Sequence, residues 1–152
     1  MKNYLIILLL IWLPVQLNAI AIKRVSIGAL SFRANGQLYT ADSTHARGYA
    51  VKQSTLAFIN GANNNMVMGV EWKGVKGPGT YSIDTREGKA EFTIDHRTYF
   101  PRQAGDYLRV TVKTAKQQGA FLLLNGTFEG QLQDRNGNKV KIESGSFATV
   151  SL

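Results

Sequence analysis

The sequence predicts an all-β fold, a single antiparallel β-sandwich or flattened β-barrel of about eight to ten strands. Three observations lead there. Apolar and polar residues alternate with period two through most of the chain after residue 19, as half-buried strands do. Clusters of Gly, Asn and Asp recur at the short spacing that separates strands in sandwiches and barrels. Helical periodicity is nearly absent over the same stretch.

The first segment has a different design. Met1-Lys2-Asn3 is a short basic start, Leu5 to Val15 is an almost unbroken apolar run, and Gln16-Leu17-Asn18-Ala19 ends on a small residue. This is the layout of a cleaved signal peptide over 1–19. Eleven apolar residues that include Pro14 fall short of the roughly 20 a membrane-crossing helix needs. One all-β domain is then expected over 20–152, periplasmic or extracellular, with no transmembrane segment after cleavage. Loss of Lys2 lowers the formal charge from +8 to +7. The chain has no Cys, so stability after export rests on burial and backbone pairing rather than disulfides.

The strands follow in order. Leu30, Phe32 and Ala34 share a face before Asn35-Gly36, and Leu38 to Ala41 form the return strand. Leu56 and Phe58 share a face. Met66, Met68, Val70 and Trp72 fall on one side of the next strand, with Val67, Gly69 and Glu71 opposite. Ala90, Phe92 and Ile94 alternate with Glu91, Thr93 and Asp95, and Leu108, Val110 and Val112 with Tyr107, Arg109 and Thr111. Phe121 to Leu124 is apolar on both sides, which predicts a strand covered on both faces. Further turns are expected at 61–65, 73–79, 86–89, 96–106 and 117–119.

The last hairpin can be argued to the residue. Phe128, Gly130 and Leu132 share a face with Val140 and Ile142 only if Leu132 pairs with Val140. That pairing requires the three-residue loop Arg135-Asn136-Gly137, with Gly137 in the left-handed conformation. Glu143-Ser144-Gly145-Ser146 reads as a strand bulge.

Enzyme chemistry has little to work with. Lack of Cys excludes a thiol enzyme and a Cys-ligated zinc module. His45 and His96 are the only histidines, and no Gly-x-Ser-x-Gly elbow accompanies them. Neither zinc-ligand nor calcium-loop spacing occurs, and Asp134-Arg135-Asn136-Gly137-Asn138 fits a plain turn better than a calcium loop. No catalytic residue, metal or cofactor is expected.

Charge and aromatic residues are more informative. Lys73, Lys76, Arg86, Lys89, Arg97, Arg102, Arg109, Lys113 and Lys116 place nine of the seventeen basic residues that follow residue 19 between positions 73 and 116. Arg109 and Lys113 fall on one strand face with Tyr107 and Thr111. Trp72 precedes a glycine-rich loop carrying Lys73 and Lys76. Trp72, Lys73, Lys76, Tyr107, Arg109 and Lys113 are therefore the candidate binding residues, for an anionic envelope glycan or lipid head group. Nucleic acid is not an expected partner of an exported chain. The competing expectations are a barrel-type carrier of a small apolar ligand, suggested by Met66, Met68 and Trp72, and a hydrolase built on His45 or His96.

Four segments carry a resemblance: Phe32-Arg33-Ala34-Asn35-Gly36-Gln37-Leu38-Tyr39-Thr40-Ala41, Gly79-Thr80-Tyr81-Ser82-Ile83, Asn125-Gly126-Thr127-Phe128, and Val140-Lys141-Ile142-Glu143-Ser144-Gly145-Ser146-Phe147. In this order they resemble a family of small exported, often lipid-anchored, all-β bacterial proteins of unknown function. The resemblance implies an all-β exported domain and no catalytic residue. The cysteine that carries the lipid in that family has no counterpart here.

Overall fold

The structure is a computed structural model that describes residues 27–84, 86 and 88–150. The expected signal segment, 1–19, lies outside the described residues. Eleven strands are described: β1 (Ile27–Ala34), β2 (Gln37–Thr40), β3 (Arg47–Val51), β4 (Leu56–Ala62), β5 (Met66–Trp72), β6 (Gly79–Ile83), β7 (Gly88–Ile94), β8 (Arg97–Tyr99), β9 (Tyr107–Gln118), β10 (Phe121–Gln133) and β11 (Lys139–Val150). Every pairing between them is antiparallel. No helix among the described residues is long and apolar enough to cross a membrane.

β10 organises the sheet. Along one edge, Phe121–Leu123 pair with β3, whereas the stretch from Gly126 to Gln133 pairs with β11. Its other edge is lined by β9, which β6 joins on the far side. One wing therefore runs β2-β1-β11-β10-β9-β6 and the other continues from the start of β10 through β3-β4-β5-β7-β8. Rings from both wings meet in the core. Phe32 of β1 lies 5.4 Å edge-on to Phe92 of β7, and Phe128 of β10 contacts both at 5.9 and 6.0 Å. The sheet is not closed, consistent with a sandwich or flattened barrel, and one bridge from Phe100 to Gln133 ties the end of β8 back to β10.

The divided edge needs irregularities, because a flat strand cannot turn from one wing into the other. Register shifts occur between Asn125 and Glu129 against β9 and between Phe128 and Gly130 against β11. Ser144 sits at φ 50° in the second of these, at the expected bulge. At Gly126 the chains approach so closely that a Cβ would run into the Thr111 carbonyl oxygen and the Phe147 ring.

Side-chain alternation is largely as expected. Leu30, Phe32, Ala34, Met66, Met68, Val70, Ala90, Phe92, Ile94, Leu108, Val110 and Val112 are all buried. Leu132 pairs with Val140, Asp134 N–H donates to the Asn138 carbonyl, and Gly137 has φ 84°, so the last hairpin has its three-residue loop. Leu56 and Phe58 do share a face, but it is the outer one; Ala57, Ile59 and Gly61 point inward. Small residues are needed there because Leu30 packs directly over Gly61. Leu123 is buried on the outer face. Its neighbour across the strands, Tyr49, stacks on Phe58 at 5.2 Å and meets Phe121 edge-on at 5.9 Å. The first part of β10 is thus covered on both sides.

The strand beyond the expected number is β8, inside a stretch read as a turn. Asp95 and His96 both adopt left-handed backbone, φ 47° and 66°. They make a two-residue turn that closes Ile94 against Arg97. Such turns favour Asn-Gly, as at Asn35-Gly36, and Asp-His gives no comparable sequence signal.

Replacing Gly126 with Ala should lower stability by about 2 kcal/mol, in the range of overpacking. Urea denaturation checks this against Gly77→Ala, where nothing lies within 4 Å of the added carbon and the change should stay within about 0.5 kcal/mol.

Candidate functional site

The six residues singled out from the sequence are not gathered into one site. Trp72 is 2% exposed, with its ring beside Tyr81 at 5.9 Å. It is a core residue and offers no ring face to a ligand. The loop after it is held down by Val75, 1% exposed, whose N–H donates to the Thr55 carbonyl; the Tyr81 hydroxyl donates to the Gly77 carbonyl. Lys73 and Lys76 project from this anchored loop into solvent. Tyr107, Arg109 and Lys113 are exposed along β9. There Arg109 lies over the Tyr107 ring at 5.7 Å and pairs with Glu129 at 3.2 Å, so its charge is already partnered.

The charge distribution is asymmetric. All fifteen described Lys and Arg residues are exposed, as expected for groups with a high desolvation cost. Asp106 and Asp134, by contrast, are buried at 6% and accept hydrogen bonds from nearby chain. Only Arg86, Arg109 and Lys141 lie within ion-pair distance of a described carboxylate. The described surface is therefore rich in cations without a bound counter-charge.

One end of the sandwich concentrates donors in a concave setting. An open depression of about 520 Å3 is lined by His96, Arg97, Phe100, Arg135 and Asn136, with Glu91, Thr98 and Asp134 completing it. The β7–β8 hairpin with its turn, the first residue after β8, and the β10–β11 loop deliver these groups. Asp134 shapes that loop. Its Oδ1 accepts the backbone N–H groups of Asn136 and Asn138 and its Oδ2 the Asn138 side-chain amide, each at 2.8 Å. The Asn138 side chain first, then these backbone donors and the Arg97 charge, hold the carboxyl below its ordinary range against partial desolvation. Arg102 steadies the loop from the other side by donating to the Arg135 carbonyl at 2.6 Å. Among the described residues, the Arg97 and Arg135 guanidinium groups make no hydrogen bond.

Arg97 also lines a second depression, of about 390 Å3, with Asn35, Gln37, Tyr39, Asp95 and Tyr99. Tyr39 stacks on Phe32 at 5.6 Å and donates its hydroxyl to Asp95 Oδ2 at 2.6 Å. Burial and this bond to a carboxylate push the phenol from 10.0 up to about 12. Asp95, exposed at the turn, is thereby tied to the Tyr39 hydroxyl, and His96 after it lines the first depression.

Neither histidine sits in a hydrolytic arrangement. Thr44 Oγ1 and Asp42 Oδ2 both approach the same nitrogen of His45, Nδ1, at 3.2 and 4.0 Å. Proton relay needs the carboxylate and the nucleophile on opposite nitrogens. His96 shares its depression with Glu91 and Asp134 but hydrogen-bonds to neither. No group of three metal-ligating side chains occurs among the described residues. Arg97 and Arg135 share the lining with Glu91 and Asp134, so the depression offers two unbonded guanidinium donors within a charge-balanced wall.

Sequence reading missed this end because its parts are local non-events. Arg97 counted only as one member of a basic run, and Arg135 only as a turn residue. The single available signal was the Asp-His pair at a hairpin turn, recognisable once Ile94 and Arg97 are known to pair.

Two outcomes are expected. The folded state keeps the full benefit of the neutral Tyr39 phenol below about pH 10, and that benefit is lost as pH rises toward 12. Urea midpoints measured across this window should therefore fall further in the wild type than in Tyr39→Phe. His96→Gly relieves a left-handed side-chain residue and should raise stability by about 1 kcal/mol, read as an increase in thermal midpoint. Comparison of the chain with protein-family models, with curated proteins and with solved structures found no match in any of the three.

Proposed function

We propose that the protein is an exported, non-enzymatic binding module for anionic glycan of the cell envelope. The observation that carries the reading is the set of exposed cations, few of them paired, with two unbonded guanidiniums lining one depression. Exposed cations without counter-charges attract polyanions over distances set by ionic strength. The export layout of residues 1–19 supports an envelope or extracellular location, and the resemblance to small exported all-β proteins accords with it. Carriage of an apolar ligand inside the domain has less support, since Met66, Met68 and Trp72 are packed in the core and the rings of Phe32, Phe92 and Phe128 fill the space between the wings.

Chromatography on an immobilised uronic-acid polysaccharide tests the reading. Retention should be strong at about 0.05 M salt and lost by about 0.5 M as screening shortens the reach of the charges, with no retention on neutral dextran. Absence of retention, or retention indifferent to salt, refutes it.

A further inference from the structure

We propose that Arg97 is the central anchor of a two-part groove for an acidic oligosaccharide. Its guanidinium grips one carboxylate or sulfate while the sugars on either side lie in the two flanking depressions. The inference rests on the anionic-glycan reading and assigns that reading a site and a ligand shape.

Position is the first argument. Arg97 lines both depressions, of about 520 and 390 Å3, and stands between them on a three-residue strand. Availability is the second. No described carboxylate lies within ion-pair distance of Arg97: Asp134 accepts three hydrogen bonds from its own loop while it feels the Arg97 charge, Asp95 accepts the Tyr39 hydroxyl, and Glu91 shares the lining of the first depression. The planar donor fork of Arg97 is left open toward solvent, and such a fork suits bidentate capture of a carboxylate or sulfate. Support is the third. The turn preceding Arg97 holds two left-handed residues, and the Tyr39–Asp95 bond ties it to a ring stacked in the core. Strain of this kind persists where surrounding structure enforces it.

The lining decides between ligand classes. Asn35, Gln37 and Tyr39 occupy one side of Arg97, and Thr98, Phe100 and Asn136 the other. The exposed amides of Asn35, Gln37 and Asn136 and the half-buried Phe100 ring match the mixed hydroxyl and C–H surface of sugars. A phosphate head group alone would engage the guanidinium and leave both flanks unused. An acidic sugar with a neighbour on each side uses all of them.

Isothermal titration with a uronic-acid-containing hexasaccharide, its carboxyl-reduced counterpart, the free uronic acid and anionic phospholipid vesicles tests the proposal. The hexasaccharide should bind and its carboxyl-reduced form should not. Arg97→Ala should weaken binding at least about tenfold, and Arg97→Lys should restore little of it, because a point charge lacks the fork. Gln37→Ala should weaken the hexasaccharide about three- to tenfold and leave the free uronic acid unchanged. Thr114→Ala, an uncharged exposed position on the far part of β9, should change neither. Unchanged thermal midpoints exclude unfolding as the cause. Wild-type affinity in Arg97→Ala, with retention on the polysaccharide matrix intact, overturns the site and spares the broader reading. Absence of binding to every anionic glycan overturns both. Binding to vesicles without binding to the hexasaccharide overturns the glycan assignment.

Discussion

β10 has to satisfy two different partners along one edge, β3 at its start and β11 along the rest, and the remaining architecture follows from that requirement. A strand with regular pleat and twist holds one neighbour per edge. Sharing the edge demands a change of direction, supplied here by register shifts against β9 and β11 and by close backbone approaches at Gly126 and Gly130 that leave no room for a side chain. Because β10 bends, the wing carrying β1 faces the wing carrying β7, and Phe32, Phe92 and Phe128 can meet. The buried rings then provide most of the specificity of packing, since aromatic pairs add directional preference to apolar burial.

The same arrangement sets the chemistry of the exposed end. Gln133, the last residue of β10, bridges to Phe100 and donates its side-chain amide to Asp106 at 2.6 Å. Asp106 also accepts the backbone N–H groups of Arg102 and Gln103. These bonds bring the end of β8, the following loop and the β10–β11 loop to one place. Asp106 and Asp134 hold backbone N–H groups at this end, and the Arg102 guanidinium holds the Arg135 carbonyl. Asp95, Asp106 and Asp134 all accept hydrogen bonds from the protein's own groups, and none of them hydrogen-bonds the Arg97 or Arg135 guanidinium. Loop rigidity at this end thus originates in where the acidic side chains are used.

Much of the fold was legible because its signals are local. Period-two alternation identified the inward sets of β1, β5, β7 and the first half of β9, and facing requirements alone chose the loop at Arg135-Asn136-Gly137. The glycine-rich segment after Trp72 was harder. Its composition suggested a free loop, whereas Val75 anchors it in the core, a contact that depends on β4 and β5 lying beside it. Asp95-His96 shows the limit of turn rules: tertiary pairing of Ile94 with Arg97 enforces a turn that neither residue advertises.

Sequence alone determined that the chain is cysteine-free, basic and built of strands, because composition and nearest-neighbour sterics do not depend on distant contacts. It also determined the last hairpin, where both strands carry enough apolar residues to admit one register. Tertiary structure decided which face of β4 points inward, that Trp72 belongs to the core, and that Arg97 meets Arg135 and Phe100 at one depression. Those outcomes depend on how residues remote in the chain are brought together by the bend of β10, and no local pattern encodes the position of a neighbour supplied by another strand.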